Sequence, residues 1–197
     1  GDACYKTVKL STGAEVKAYI VGFNHDDRAD GKGKAGITFM VCGTPVLSDS
    51  INEDGSNTGG WKDSDIRKSL NKKVLASMPK DLKKRVVKVT KLTNNAGVTT
   101  DASSVTATDD SLWLPSLVEL FGNDGLEGSL GSNQSDALGV YEAEGSQYKI
   151  WYKTAGPAWT RTCDASQSGQ FLTYNGINYS GSAKSSNSND IYLGFCL

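Results

Sequence analysis

The sequence predicts an α+β domain, with two main helices amid short, mostly antiparallel strands and long loops. Short stretches of alternating apolar and polar residues recur along the chain. Only two stretches carry helical spacing. Strands and helices do not alternate regularly and no segment repeats, so a βαβ array is not expected. A chain of 197 residues fits one domain over 1–197 with a core of its own.

The first element is a hairpin over Thr7 to Phe23. Thr7-Val8-Lys9-Leu10 leads into a Ser-Thr-Gly turn, and Glu15 to Ile20 alternates. Asn24 to Gly33 reads as a charged, glycine-bearing loop. Gly36 to Val41 is a third strand, and Asn52 to Gly60 a flexible approach to a helix. Ser64 is the expected N-cap, with Asp63 and Asp65 at the positive end of the helix dipole. Ile66, Leu70, Val74 and Met78 form one apolar stripe, and Pro79 stops the helix.

After a short turn at Asp81 to Lys84, Val86 to Leu92 reads as a strand. Thr93 to Asp110 reads as a polar surface loop, and Leu112 to Pro115 is extended. Ser116-Leu117-Val118-Glu119 is a capping-box pattern for a brief helix ending near Gly122. Gly122 to Gly139 is weakly patterned. Tyr148 to Tyr152 is a short strand, and the C-terminal strands follow.

The last forty residues are the most informative about function. Trp159-Thr160-Arg161-Thr162-Cys163 and Ile191 to Leu197 are strand-like. They bracket a run rich in Ser, Asn and Gly that holds Phe171, Tyr174 and Tyr179. Long loops of this kind are functional or disordered, and this mixture is that of a binding surface. Asn175-Gly176 is a turn signal, and the alternative to ligand contact for Tyr174, Asn175, Asn178 and Tyr179 is an ordinary surface hairpin. Trp159 and Arg161 point to one face if the segment is a strand. The alternatives are core packing for Trp159 and, for Arg161, burial beside Asp164 or Glu119.

Net charge is −1, so no basic field argues for nucleic acid or anionic lipid. The longest apolar runs are too short to cross a bilayer, so no direct membrane insertion is expected. Gly1-Asp2-Ala3-Cys4 reads as a trimmed start and leaves the compartment open. Cysteines 4, 42, 163 and 196 include no CxxC pair. A Cys163–Cys196 disulfide would tie the strands around the polar run, the alternative being buried free thiols.

His25 alone builds no histidine metal cluster, and no nucleophile-elbow pattern is present for it to serve. Asp26, Asp27, Asp30 and Gly31 suggest a calcium loop, but Arg28 stands where an oxygen ligand belongs. Asn187, Asn189 and Asp190 are a second candidate for calcium. No phosphate-binding loop, dinucleotide fingerprint or HExxH motif occurs. Trp61, Trp113, Trp151 and Trp159 are expected mainly in the core.

Several stretches together resemble a known family. They are Ile20-Val21-Gly22-Phe23-Asn24-His25-Asp26, Lys34 to Phe39, Gly60 to Asn71 and Leu112 to Ser116. Glu144 to Tyr148, Trp159-Thr160-Arg161 and Gly194-Phe195 complete the series, from about residue 14 to the end. The chain is similar to an uncharacterised domain family of secreted and phage-borne proteins of gut-type bacteria. That family resembles the C-type lectin-like fold of formylglycine-generating enzymes and of the variable proteins of diversity-generating retroelements.

The resemblance implies a closing strand paired near the first and a ligand face built from the C-terminal loops. The Asn/Ser/Tyr bias there is similar to a retroelement-diversified, hypervariable region. The close cysteine pair of the copper-dependent oxidases is missing, as are the lectin calcium motifs. Where family members end in an Arg-Pro-like strand, this chain has Phe195-Cys196-Leu197.

The expectation is a non-enzymatic, monomeric binding module of an exported bacterial or phage surface protein, extracellular, cell-surface or virion-borne. Its ligand would be a glycan or protein on a host or cell surface. The expected contacts are Trp159, Arg161, Tyr174, Asn175, Asn178, Tyr179 and Asn187. No cofactor is required, calcium being the open possibility. The alternatives are a structural or assembly domain of a surface fibre or phage tail, then a formylglycine-generating-type oxidase.

Overall fold

A computed structural model describes residues 4–130, 134–149, 156–176 and 178–197. Among the described residues the structure is mostly β-sheet: eleven strands in three sheets, with 23% helix in short pieces. Two main helices packed on strands, the expected α+β arrangement, are not what it forms.

In chain order, β1 (Tyr5–Lys9), β2 (Glu15–Phe23), β3 (Ile37–Cys42) and β4 (Leu47–Asp49) come first. A helical region holds α1 (Gly60–Asp63), α2 (Asp65–Ser69), a π-turn (Leu70–Val74), α3 (Leu75–Ser77) and α4 (Lys80–Lys83). The hairpin β5 (Val89–Asn94) and β6 (Val105–Asp110) follows. Next come α5 (Leu117–Ser129) and α6 (Leu138–Glu142). The chain closes with β7 (Pro157–Cys163), β8 (Gln170–Asn175), β9 (Asn178–Lys184), β10 (Asn189–Ile191) and β11 (Gly194–Cys196).

The first sheet is antiparallel in the order β1-β2-β3-β11. The second runs β4-β10-β7-β8-β9, with β10 and β7 parallel. Only Tyr192 and Leu193 separate β10 from β11, so this buried link ties the two sheets together. The closing strand pairs with β3, two strands away from the first.

The expected hairpin is β1–β2, and Val8, Val16 and Ala18 bury the alternation that predicts it. Ser64 caps α2 as expected, accepting from the Arg67 amide at 3.3 Å. The Ile66–Met78 stripe faces the core, but the helix is not regular. The Asn71 side-chain amide donates to the Arg67 carbonyl at 3.1 Å and to the Leu112 carbonyl at 2.8 Å. A side chain that competes for a backbone carbonyl in this way widens a helix turn, and the π-turn begins one residue earlier.

The Ser116–Glu119 capping box forms. The Glu119 amide donates to Ser116 Oγ at 3.2 Å, and the Ser116 amide donates to Glu119 Oε2 at 2.9 Å. Gly122, at φ 68°, breaks the helix there, and a second helical stretch carries on to Ser129.

Several expected loops are ordered structure. Asn52 to Gly60 is pinned: buried Asn57 donates to the Gln167 and Gln170 carbonyls at 3.1 Å each and accepts from the Gly169 amide at 2.9 Å. Thr93–Asp110 supplies β6, and the polar C-terminal run supplies β8, β9 and β10. Most of the strand expected at Tyr148–Tyr152, with Trp151, lies outside the described residues. Tyr148 itself is not in a strand.

The Cys163–Cys196 disulfide does not form; both residues are reduced thiols. Cys163 lies in β7 of the second sheet and Cys196 in β11 of the first, and each is fully buried with its own partner. Cys163 Sγ donates to the Asn94 carbonyl at 3.5 Å, and Cys196 Sγ lies 3.5 Å from Asp26 Oδ2.

Candidate functional site

The most chemically loaded place in the molecule is its centre. Lys91 sits on the inward face of β5 between Val89 and Thr93, all three buried. A lysine there needs carboxylates. Its ammonium donates to Asp26, to Glu119 at 2.6 Å and to the Tyr148 hydroxyl at 3.4 Å, and lies 4.3 Å from the Trp113 ring centroid. Glu119 is delivered by the capping box of α5, and its second oxygen accepts from Arg161.

Arg161 is fully buried in β7 and uses its whole fork. It also donates to Thr93 Oγ1 at 2.9 Å and to the carbonyls of Leu114 at 2.9 Å, Leu92 at 3.3 Å and Glu144 at 3.0 Å. Of its two sequence-level alternatives as a buried residue, Glu119 is the partner. Burial alone would push the Asp26 carboxyl up, but Lys91 holds it well below the usual carboxylate range. For Glu119 the same opposition, with Arg161 and Lys91 on the winning side, also ends low. Glu144 is the exception: burial pushes it up to about 7, although Thr162 and the Asn94 amide donate to it.

Above this centre opens a polar cleft of about 230 Å3, with His25 and Ser146 on its wall. Ser146 Oγ lies 3.1 Å from His25 Nε2, and His25 Nδ1 lies 3.3 Å from Asp26 Oδ1. The order serine, histidine, aspartate is that of a nucleophilic triad. The contacts do not work as one. The same Nε2 meets the Ser146 backbone carbonyl at 3.0 Å, which an N–H must satisfy. Nδ1 is buried without a well-aligned hydrogen bond to Asp26, whose oxygens already serve Lys91 and Thr38. Burial would lower the His25 pKa, but Asp26 raises it more, so the imidazolium is favoured. Set between the Asp26 carboxylate and the Ser146 carbonyl, His25 ties the Glu144–Tyr148 loop to the centre as a latch.

The seven residues expected to contact ligand do not form one face. Trp159, Arg161 and Tyr174 are buried, because β7 and β8 are inner strands of the second sheet covered on both sides. Trp159 donates its indole N–H to the Asp49 carbonyl at 2.9 Å. Asn175 and Asn178 are exposed and pair across the β8–β9 turn, so the Asn-Gly signal marks a real hairpin. Tyr179 is half-buried against Leu172 and its neighbours, and burial pushes its hydroxyl up to about 12. Asn187 is exposed beyond the far end of β9, roughly 20 Å from the turn at the usual rise of an extended strand.

The acids expected to hold calcium have partners within the chain. Asp27 pairs with Lys34 at 2.8 Å, Asp30 with Arg28 at 2.7 Å, and Asp190 accepts from Ser48 at 2.7 Å. Among the described residues no three His, Cys, Asp or Glu side chains gather as a metal set.

A larger concavity was not anticipated from the sequence. A groove of about 430 Å3 opens between the outer part of the first sheet and α4. Ala18, Ile37, Phe39 and Phe195 line its sheet side, and Leu82 lines its helix side. Phe39 and Phe195 stack at 5.2 Å. A signal existed: Ile37, Phe39 and Val41 alternate to one face of β3, and the helix that covers Val41's end stops at Pro79.

A family model described as a domain of unknown function, DUF6273, matches residues 40–194. No curated protein and no solved structure matches the chain.

Proposed function

We propose that this chain, which belongs to the DUF6273 family of unknown function, is a non-enzymatic binding module that engages its ligand through the groove between the first sheet and α4. One observation carries the reading: an open apolar concavity of about 430 Å3 stands beside a centre whose charges are spent on one another. Ligand sites are concave and mainly apolar, with few polar groups at the margin. The thiols support a non-catalytic role. Cys163 and Cys196 are buried and burial raises both, Cys196 to about 12, whereas an oxidase thiol must ionise easily. A protein ligand suits the groove better than a glycan, since its floor offers few hydrogen-bonding groups. Display on an exported surface protein belongs to the same proposal.

The test is binding of Nile red, a neutral apolar dye, followed by fluorescence. The wild type is expected to bind it. Leu82→Glu and Ile37→Glu place a charge on opposite walls and are each expected to abolish binding while the circular dichroism stays unchanged. Dye fluorescence that survives in both folded variants would place the dye elsewhere and sink the reading.

A further inference from the structure

The near-zero net charge hides a division. Residues 62–91 hold eleven of the 21 Lys and Arg side chains but only three of the 22 acids, and the rest of the chain is correspondingly acidic. The structure brings part of that basic segment to the groove. The wall formed by α4 and the residues after it exposes Lys80, Lys83, Lys84 and Arg85 against one acid, Asp81. Lys6 of β1 adds a cation from the sheet side. Some cations elsewhere on the surface are partnered: Lys9 with Glu15, Arg28 with Asp30, Lys34 with Asp27, and Lys68 with Asp65. Others, such as Lys32, Lys72 and Lys73, are exposed without an ion pair among the described residues but border no apolar groove. Lys6 and Arg85 have no ion pair among the described residues.

We propose that the groove docks an acidic polypeptide segment of a partner protein, with apolar side chains entering the floor and carboxylates meeting Lys6 and Arg85. The inference rests on the groove being the binding surface and adds the partner's chemistry. An apolar floor with an unpaired cationic rim is complementary to such a segment at both levels. An anionic membrane fits less well, because membrane binding needs apolar side chains that protrude, and here they line a hollow. A nucleic acid would meet the cations but has no use for the floor, where Phe39 and Phe195 are stacked on each other.

The experiment uses the whole chain and a fluorescein-labelled synthetic peptide that alternates Glu with Leu and Phe, read by anisotropy. Control peptides replace every Glu with Lys, or every Leu and Phe with Ser. The acidic apolar peptide is expected to bind at least about tenfold more tightly than either control, and to weaken in about 0.5 M salt. The double variant Lys6→Glu/Arg85→Glu changes two exposed side chains. It is expected to lose about tenfold for the acidic peptide and to prefer the Lys peptide.

Equal binding of the Lys and Glu peptides would overturn the proposal, as would charge reversal without effect. So would binding of phosphatidylserine vesicles or duplex DNA in the absence of peptide binding. If Nile red binds at the groove but the peptides show no charge preference, this inference falls and the groove reading stands. If neither dye nor peptide binds, both fall.

Discussion

The centre of this molecule and its groove reverse the usual placement of residues. Lys91, Arg161, Asp26, Glu119 and Glu144 are buried, while Ile37, Phe39 and Leu82 line an open hollow. The difference lies in what each group already touches. Every charge at the centre has partners of the chain's own making, so the centre holds β5, β7, α5 and the Glu144–Tyr148 loop together. The groove's apolar side chains and rim cations are less committed, and free energy of association resides in uncommitted surface. If that contrast is right, substitutions at the centre act on folding and substitutions at the groove act on binding.

The largest effect is expected from Glu119→Ala. It strips partners from both Lys91 and Arg161 and removes half of the capping box. Leaving buried charges unpaired costs about 3–5 kcal/mol. Leu82→Glu at the groove should cost under about 1 kcal/mol. Urea denaturation of the two variants measures the gap. Equal destabilisation would mean that the centre is not what holds the fold.

The next effect is a pH dependence seated in the centre. Glu144 titrates near 4.5 when unfolded and at about 7 when folded, because burial favours its neutral form. Its contribution is therefore complete below pH 4.5 and is lost as pH rises through about 7. The shift corresponds to roughly 3 kcal/mol. His25, raised beside Asp26, adds stability below its unfolded value of 6.5 that is lost as pH rises through its folded value. Asp26 and Glu119 are depressed and act in the opposite sense: their contribution is present above the ordinary carboxylate range and lost in acid. Melting temperature should thus peak at mildly acidic pH, about 5. Glu144→Gln should flatten the decline between pH 5 and 7, and an unchanged profile would remove Glu144 from the account.

Much of the centre was legible in the sequence, but only as parts. The capping box gave Glu119 its position, and Glu119 was one of two partners foreseen for a buried Arg161. The alternation of Val87, Val89 and Lys91 put a lysine on a buried face, a conflict that demands carboxylates, and the strand assignment alone did not use it. What could not be read was where polar strands lie. Val105–Asp110 and Asn178–Lys184 have too few apolar residues to show alternation, because each is held by backbone pairing to the strand before it rather than by an apolar face of its own. The same gap hid the burial of Trp159 and Tyr174: an inner strand is known only once its neighbours on both sides are. The helical stripe was read correctly as to face, but Asn71's reach to Leu112 breaks its regularity.

A smaller and more local contrast concerns two glycines in the left-handed region. Gly60, at φ 53°, packs α1 so close to β5 that an added Cβ would run into the Asn94 carbonyl. Gly13, at φ 91° in the β1–β2 turn, has nothing within 4 Å of an added Cβ. Gly60→Ala is expected to cost about 2–3 kcal/mol, from backbone strain and collision together, and Gly13→Ala about 1 kcal/mol, from strain alone. Similar melting temperatures for the two would mean that α1 can move away from β5 without loss, and that the centre is less tightly framed than the contacts around it imply.

The smallest expected effect is the sharpest test of whether the centre does chemistry. Ser146, His25 and Asp26 are spaced like a triad, and a functional one would be labelled at Ser146 by a fluorophosphonate. The Ser146 carbonyl occupies the nitrogen that would take the hydroxyl proton, and Asp26 is committed to Lys91. The latch reading therefore expects no labelling and, for Ser146→Ala, a change in stability within about 0.5 kcal/mol, since the backbone contact to His25 survives. His25→Ala should cost more than Ser146→Ala, and its cost should shrink above neutral pH as the wild-type imidazolium loses its proton. Labelling at Ser146 that vanishes in His25→Ala would reverse the assignment. The cleft would then be an acyl-transfer site, and the division between a structural centre and a binding groove would no longer hold.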